Sequence, residues 1–393
     1  MFLRVAVRYR RRMRLNEDHR AFRDSVRRFV DAEVNPHVDA WEAAGRVPLH
    51  DLFPKAAALG LLGLEYAETY GGEGADHSFQ LVAAEEYGRM HATGVGMAIG
   101  VQSMMATPSL HEFGSPELKE RYLAPAIAGT AVAAVAVTEP DTGSDVARLR
   151  TRAVPDGDDL IITGRKTYIT NGAQADWICL LARTSDEAGH RGMSQIIVPT
   201  SLPGFSVART FDKLGNRCSD TAELVLDEVR VPAANVVGQV GRGFQQQMQQ
   251  FVIERMFAAY TTVGGCQYAL DRTRKFVLDR TVFGRPLADR QYVAFRLSEL
   301  QAEVDLLRSH NLVTCETLMA GEDITRMATV AKLKAGRLIR EVADWCLQLH
   351  GGMGYLEETW TARLYRDTRL TSIGAGADEV MLQILTRLDG LPA

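Results

Sequence analysis

The sequence predicts an α+β protein laid out as helices, then sheet, then helices. Apolar residues recur at helical spacing through the first third of the chain and again from Phe244 to the end, whereas the stretch from Ala131 to about Val237 breaks into short β-rich runs with turns between them. A third observation is negative: no G-x-G-x-x-G follows a strand, which speaks against a Rossmann domain. The expected division is a basic extension at residues 1–15, an N-terminal helical domain at 16–130, a middle β-barrel-like domain at 131–237 and a C-terminal helical bundle at 238–393.

In the extension, Arg4, Arg8, Arg10, Arg11, Arg12 and Arg14 surround a short apolar patch without acids. It reads as a membrane-surface arm, an organelle presequence or, preferred here, a disordered stretch ahead of a start at Met13. Asn16 is a fitting N-cap, with Glu17 and Asp18 in the first turn, and Phe22, Val26, Phe29, Val30 and Val34 follow at helical spacing until Pro36. Further helical patterns cover 52–61, 79–90 and 118–127. In the middle part, 149–154 and 160–163 flank the hairpin signal Pro155-Asp156-Gly157-Asp158, and β runs continue at 177–182, 195–198 and 222–231. Helical runs at 244–260, 267–279, 292–318, 324–349 and 379–388 complete the chain. These last are longer and more apolar than one domain needs, so oligomerisation by helix packing is expected.

With 46% hydrophobic and 24% charged residues and a formal net charge of -4, the 393-residue chain has an ordinary soluble composition, and nothing in it suggests nucleic acid. Cys179, Cys218, Cys266, Cys315 and Cys346 stand singly, without metal or disulfide spacing, so the expected compartment is the reducing cytoplasm. No apolar run reaches the length of a membrane span.

The chemistry centres on Val135-Ala136-Val137-Thr138-Glu139-Pro140-Asp141-Thr142-Gly143-Ser144-Asp145, a strand that delivers a polar loop to one place. The Thr138 hydroxyl suits a ring carbonyl or nitrogen, Gly143 allows close backbone approach, and Ser144 offers a donor to phosphate. Alone, the stretch reads equally well as a surface turn. Downstream come Lys166-Thr167-Tyr168-Ile169-Thr170-Asn171-Gly172, Lys213-Leu214-Gly215-Asn216-Arg217, Arg280-Thr281-Val282-Phe283-Gly284, Gln348-Leu349-His350-Gly351-Gly352 and Ile373-Gly374-Ala375-Gly376-Ala377. In order and spacing the set resembles the acyl-CoA dehydrogenase family of flavoenzymes, over nearly the whole chain from about Leu15.

That resemblance implies FAD, a C-terminal four-helix bundle and a homotetramer. It assigns Val137, Thr138, Tyr168 and Thr170 to the flavin ring and Gly143 and Ser144 to the pyrophosphate. Arg280, Phe283, Gln348, Gly351 and Gly352 would reach the adenine half of a neighbouring subunit's flavin. Many relatives carry Trp at the place of Tyr168, and a Tyr can still stack there. In most members the α-proton base is a Glu in a loop Tyr-Glu-Gly-Thr, where this chain reads Gly374-Ala375-Gly376-Ala377. The base is instead expected at Glu254, in the apolar run Phe251-Val252-Ile253-Glu254-Arg255-Met256-Phe257, as in the branch that includes isovaleryl-CoA, long-chain and citronellyl-CoA dehydrogenases. A desolvated carboxylate is a stronger base, and Arg255, adjacent in sequence, does not share its helix face.

The Ala375 N–H would keep the role of holding the thioester oxygen, and Gly374 would widen the acyl pocket towards branched or medium-to-long chains. Ser144 and Arg255 are further substrate-site candidates, no metal is called for, and electron transfer flavoprotein is the implied acceptor. Rival readings are an acyl-CoA oxidase or another flavin oxidase or monooxygenase of the same fold, and a non-catalytic flavin-binding subunit of a mixed oligomer.

Overall fold

The computed structural model describes residues 15–187 and 189–392. The basic extension lies, apart from Leu15, outside the described residues. Asn16 caps the first helix, Glu17–Phe29, and its side-chain oxygen accepts from the His19 N–H at 3.1 Å. Helices Val38–Ala44, Leu49–Ala57, His77–Tyr87, Thr93–Gly100 and Pro108–Phe113 follow. Wide turns with i to i+5 hydrogen bonds occupy Val30–Val34, Val101–Ala106 and Lys119–Leu123. The run expected at 118–127 is therefore broken into short pieces, and Pro125 explains why: it has no N–H to offer the carbonyl one turn back. Thr93–Gly100 escaped the sequence reading because Gly94, Gly96 and Gly100 dilute its apolar pattern.

The middle part is one seven-stranded sheet: β1 (Ala133–Ala136), β2 (Arg152–Asp156), β3 (Asp159–Thr170), β4 (Trp177–Arg183), β5 (Met193–Pro199), β6 (Phe205–Thr210) and β7 (Thr221–Pro232). Its order is β1-β4-β2-β3-β7-β6, with β5 also paired to β4. The expected hairpin is present, with Asp156 opposite Asp159 and Gly157 in the left-handed region at φ 64. Strand β6 shows no buried face, so its sequence carries no alternation to read. In β4 successive side chains serve two cores. Ile178, Leu180 and Ala182 fill the sheet's own interior, while Trp177 and Cys179 face Tyr122 and Leu123 of the helical part.

Helices Gly243–Asp279, Gln291–Met319, Thr325–His350 and Asp378–Leu388 make the C-terminal bundle, with Trp360–Thr368 beside it. Val26, Phe53 and Ile99 from the first part share one core with Val263, Leu270 and Val342 from the last. The two helical parts thus close on each other although the sheet separates them in sequence. Among the described residues no helix is long and apolar enough to cross a membrane, and no cluster of His, Cys, Asp and Glu could hold a metal ion. All five cysteines are free and buried.

The two runs expected at 244–260 and 267–279 are a single helix of 37 residues. Thr261-Thr262-Val263-Gly264-Gly265 looks like a break because glycine disfavours helix interiors. Packing overrides that preference. A Cβ at Gly264 would overlap the Glu85 carbonyl on His77–Tyr87, and one at Gly88 would overlap the Thr261 carbonyl, so bare backbone on both sides lets the two segments touch. Gly264→Ala is expected to destabilise the fold by about 1–3 kcal/mol or more. Gly265→Ala, where the added carbon would sit 3.2 Å from the Gly88 carbonyl, should cost less. Urea unfolding midpoints of the two variants check this order.

Candidate active site

The strand-end motif and the β3 motif are bound to each other. Beyond β1 the chain turns through Pro140, where the backbones of Glu139 and Thr142 exchange bonds of 2.9 and 3.0 Å. The buried Glu139 carboxylate accepts from the N–H groups of Arg150 at 2.6 Å and Thr151 at 2.9 Å, and from Lys166 Nζ at 2.9 Å. Lys166, fully buried, donates also to the Val137 carbonyl at 2.9 Å, and the Thr167 N–H donates to the Thr138 carbonyl at 2.9 Å. Burial pushes the Lys166 ammonium down to about 8, against the pull of Glu139. Burial would raise Glu139, but Lys166 and the two N–H donors outweigh it and hold the carboxylate below its usual range.

The pairing of β3 with β7 slips between Lys166 and Ile169, and Tyr168 sits in that bulge at φ 60. A bulge re-aims a side chain, and here it leaves the Tyr168 ring 65% exposed beside Phe211, centroids 5.2 Å apart. The hydroxyls of Thr138, Ser144 and Thr170 have no partner among the described residues, and a Cβ at Gly143 would meet open space. An exposed aromatic face, three spare hydroxyls and an open glycine loop fit a planar ring with a phosphate tail.

Glu254 lies on Gly243–Asp279, 5% exposed, and accepts from Gln250 Nε2 at 3.1 Å. Burial pushes its carboxyl up to about 7, against the Gln250 bond and the Arg255 charge. Arg255 turns away to Thr329 Oγ1 at 3.5 Å, as adjacent positions on a helix require, and burial lowers its pKa too. Three residues on from Thr329, and so on the same face of Thr325–His350, the buried Lys332 donates to the Gly376 carbonyl. Burial takes the Lys332 ammonium down to about 8, with Asp378 opposing and Arg255 assisting. This one helix therefore joins the Glu254 segment to the 374–376 loop. Ala375 there adopts φ 50, unusual for a residue with a side chain, and among the described residues no acceptor takes its N–H.

The strand-end cluster and the Glu254 cluster are tied to one segment. Asn171 Nδ2, just past β3, donates to the Ala98 carbonyl at 3.0 Å, and the same stretch continues into Val101–Ala106, whose Met105 carbonyl accepts from Gln250. Arg280, Phe283, Gln348, Gly351 and Gly352 are not part of this assembly. Arg280 is 26 residues further along the Glu254 helix, about 39 Å at 1.5 Å per residue. There Phe276 stacks on His350 at 4.0 Å, and Gln348 lines a cleft of about 430 Å³ with Leu287, Tyr292 and Trp345. Phe283 is 93% exposed, and Cβ atoms at Gly284, Gly351 and Gly352 would meet open space. Gln250, Lys332 and the Glu139–Lys166 pair were missed in the sequence. Only Gln250 had a visible signal, its i to i+4 spacing from Glu254.

Family models for the acyl-CoA dehydrogenase N-terminal, middle and C-terminal domains match residues 16–130, 134–229 and 241–388. The chain is 35% identical over 375 residues to the mitochondrial long-chain specific acyl-CoA dehydrogenase of Mus musculus, covering 95% of this chain and 86% of that protein. The crystal structure of an acyl-CoA dehydrogenase from Geobacillus kaustophilus is similar at a TM-score of 0.93 and 36% identity, over 97% of this chain and 100% of that one. A glutaryl-CoA dehydrogenase from Mycobacterium smegmatis in complex with FADH2 is similar at a TM-score of 0.90 and 30% identity, over 96% of each chain. The chain belongs to the acyl-CoA dehydrogenase family, whose members are FAD-dependent oxidoreductases.

Because the folded-state pKa of Glu254 is raised from 4.5 to about 7, the stability tied to this group is fully present below about 4.5 and is lost as the pH climbs through 7. Glu254→Gln carries no charge at any pH. It should match the parent near pH 4 and exceed it by on the order of 3 kcal/mol near pH 8 in urea unfolding.

Proposed function

We propose that this chain oxidises an acyl-CoA thioester, with a branched or medium-to-long acyl chain, to the trans-2-enoyl-CoA. The observation that carries the reading is a buried carboxylate, Glu254, with its pKa near neutrality and bridged through one helix to a loop that has lost its own acid but keeps a free N–H at Ala375. Glu254 takes the proton from Cα, and the Ala375 N–H steadies the negative charge that develops on the thioester oxygen. FAD, when bound, supplies the acceptor for the hydride that leaves Cβ.

Val137, Thr138, Gly143, Ser144, Tyr168 and Thr170 would hold the flavin ring and pyrophosphate. Arg280, Phe283, Gln348, Gly351 and Gly352 would serve the flavin of a second subunit, a reading supported by the rise of about 39 Å from Glu254 to Arg280 along one helix. Exposed Tyr292, Phe295 and Leu306 on Gln291–Met319 favour the homotetramer by the same logic. At the N-terminal end of Gly243–Asp279 a cleft of about 420 Å³ is lined by Arg191, Arg242 and Gln245 together with Glu187, which pairs with Arg191 at 3.6 Å, and its two guanidinium groups suit the phosphates of CoA. A Cβ at Gly374 would meet Leu370 Cγ only at 3.7 Å, so no clash dictates the glycine and the room there is available to a bulky acyl chain.

Anaerobic titration of the FAD-loaded protein with isovaleryl-, octanoyl-, palmitoyl- and citronellyl-CoA tests this, following flavin absorbance. Bleaching is expected with at least one thioester, and Glu254→Gln should retain FAD while losing roughly 10²–10⁴-fold in rate. Oxygen uptake as fast as bleaching would transfer the assignment to an oxidase. No bleaching with any thioester would point to a flavin-binding subunit, and added electron transfer flavoprotein checks the acceptor.

A further inference from the structure

We propose that Gln250 is the positioning residue of Glu254, holding Oε1 as a fixed acceptor so that Oε2 is the atom that receives the substrate proton. The proposal rests on the reading of Glu254 as the base. Its ground is the set of bonds around one buried amide. Ser109 Oγ donates to Gln250 Oε1 at 2.7 Å, and Gln250 Nε2 donates both to the Met105 carbonyl and, at 3.1 Å, to Glu254 Oε1. Ser109 and Gln250 are 2% and 5% exposed, so water does not compete for these bonds.

The amide has one orientation. Flipping it would place its oxygen against the Met105 carbonyl and the Glu254 carboxylate, three acceptors together, whereas the Ser109 hydroxyl can serve either orientation, so Met105 and Glu254 set it. Both hydrogens of Nε2 are used in the observed orientation, and the Oε1 lone pair answers the Ser109 hydroxyl.

The Met105 carbonyl is available because of the wide turn Val101–Ala106. Carbonyls in this turn are taken by side chains: Gln102 by the Thr107 hydroxyl at 2.7 Å, Ser103 by the Tyr66 hydroxyl at 2.6 Å, and Met105 by Gln250. A neutral amide is suited to the task, since it favours the ionised carboxylate without being able to give it a proton. A carboxyl protonated on Oε1 would offer Gln250 a hydroxyl oxygen, a poorer acceptor, whereas protonation on Oε2 leaves the carbonyl-type oxygen to Nε2. Charged groups on the elements packed around this helix include Lys332, His111, Glu85, Glu86 and Arg308, and of all of them Arg255, on the helix itself, is the one that acts on the Glu254 charge.

The test uses the full-length, FAD-loaded chain with Gln250→Leu and Ser109→Ala, each also in a Glu254→Gln background. With palmitoyl-CoA as probe, the acid limb of the kcat/KM profile for Gln250→Leu should move up by roughly one pH unit. Ser109→Ala, which removes only the bond that anchors the amide oxygen, should move it in the same direction by less. Urea unfolding across the same pH range gives a second readout that needs no turnover. The pH window in which stability is lost should move up with the limb, and this shift should vanish when Glu254 is Gln. A folded Gln250→Leu whose limb and stability window both stay in place overturns the proposal, as does a shift that persists in the Glu254→Gln background. If Gln250→Leu does not fold, Ser109→Ala decides by the same criteria. Should Glu254→Gln itself keep the parent rate of flavin reduction, the base assignment fails. Loss of reduction in Glu254→Gln together with an unmoved limb in Gln250→Leu sinks only the clamp.

Discussion

The close approach of His77–Tyr87 to Gly243–Asp279 is the constraint on which the rest depends. Gly88 and Gly264 bring backbone against backbone there, and with that contact the C-terminal helices and the N-terminal helices share one interior. The long helix stays unbroken through a Thr- and Gly-rich stretch that would fray by itself, since tertiary burial outweighs propensity. Its length then separates two tasks. One end holds a buried carboxylate, and the other presents Arg280 and the exposed Phe283 hairpin about 39 Å away.

Two buried carboxylates show how the fold sets opposite ionisation behaviour with the same residue type. Glu139 meets an ammonium and two backbone N–H groups, so its charge is stabilised and the strand end around Thr138 is pinned. Glu254 meets one neutral amide and an arginine that faces another helix, so burial dominates and the carboxyl stays near neutrality in its titration. Structural pairing suits the first, and proton transfer suits the second.

The 374–376 loop complements this arrangement. A side-chain acid is missing from it, yet Lys332 holds the Gly376 carbonyl and Ala375 keeps a left-handed backbone with a free N–H. A main-chain donor does not depend on its own side chain, so the loop can offer an N–H with any residue but proline at position 375.

Much of this protein was legible in the sequence alone. Helical and β periodicities marked the three-part order, because they report which face of each element is buried. The strand-end motif and the Tyr168 motif stood out because close backbone approach and spare hydroxyls call for Gly, Ser and Thr at set positions, and Glu254 stood out as a lone acid in an apolar run. Other features were decided only by tertiary contact. The continuity of Gly243–Asp279 comes from a partner backbone over a hundred residues away in sequence, and the exposure of Tyr168 comes from a slip in pairing with β7. The amide clamp on Glu254 needs Ser109 and a main-chain carbonyl freed by a wide turn. Local pattern records what a residue buries, whereas the partner that satisfies a buried polar atom is chosen when distant segments meet.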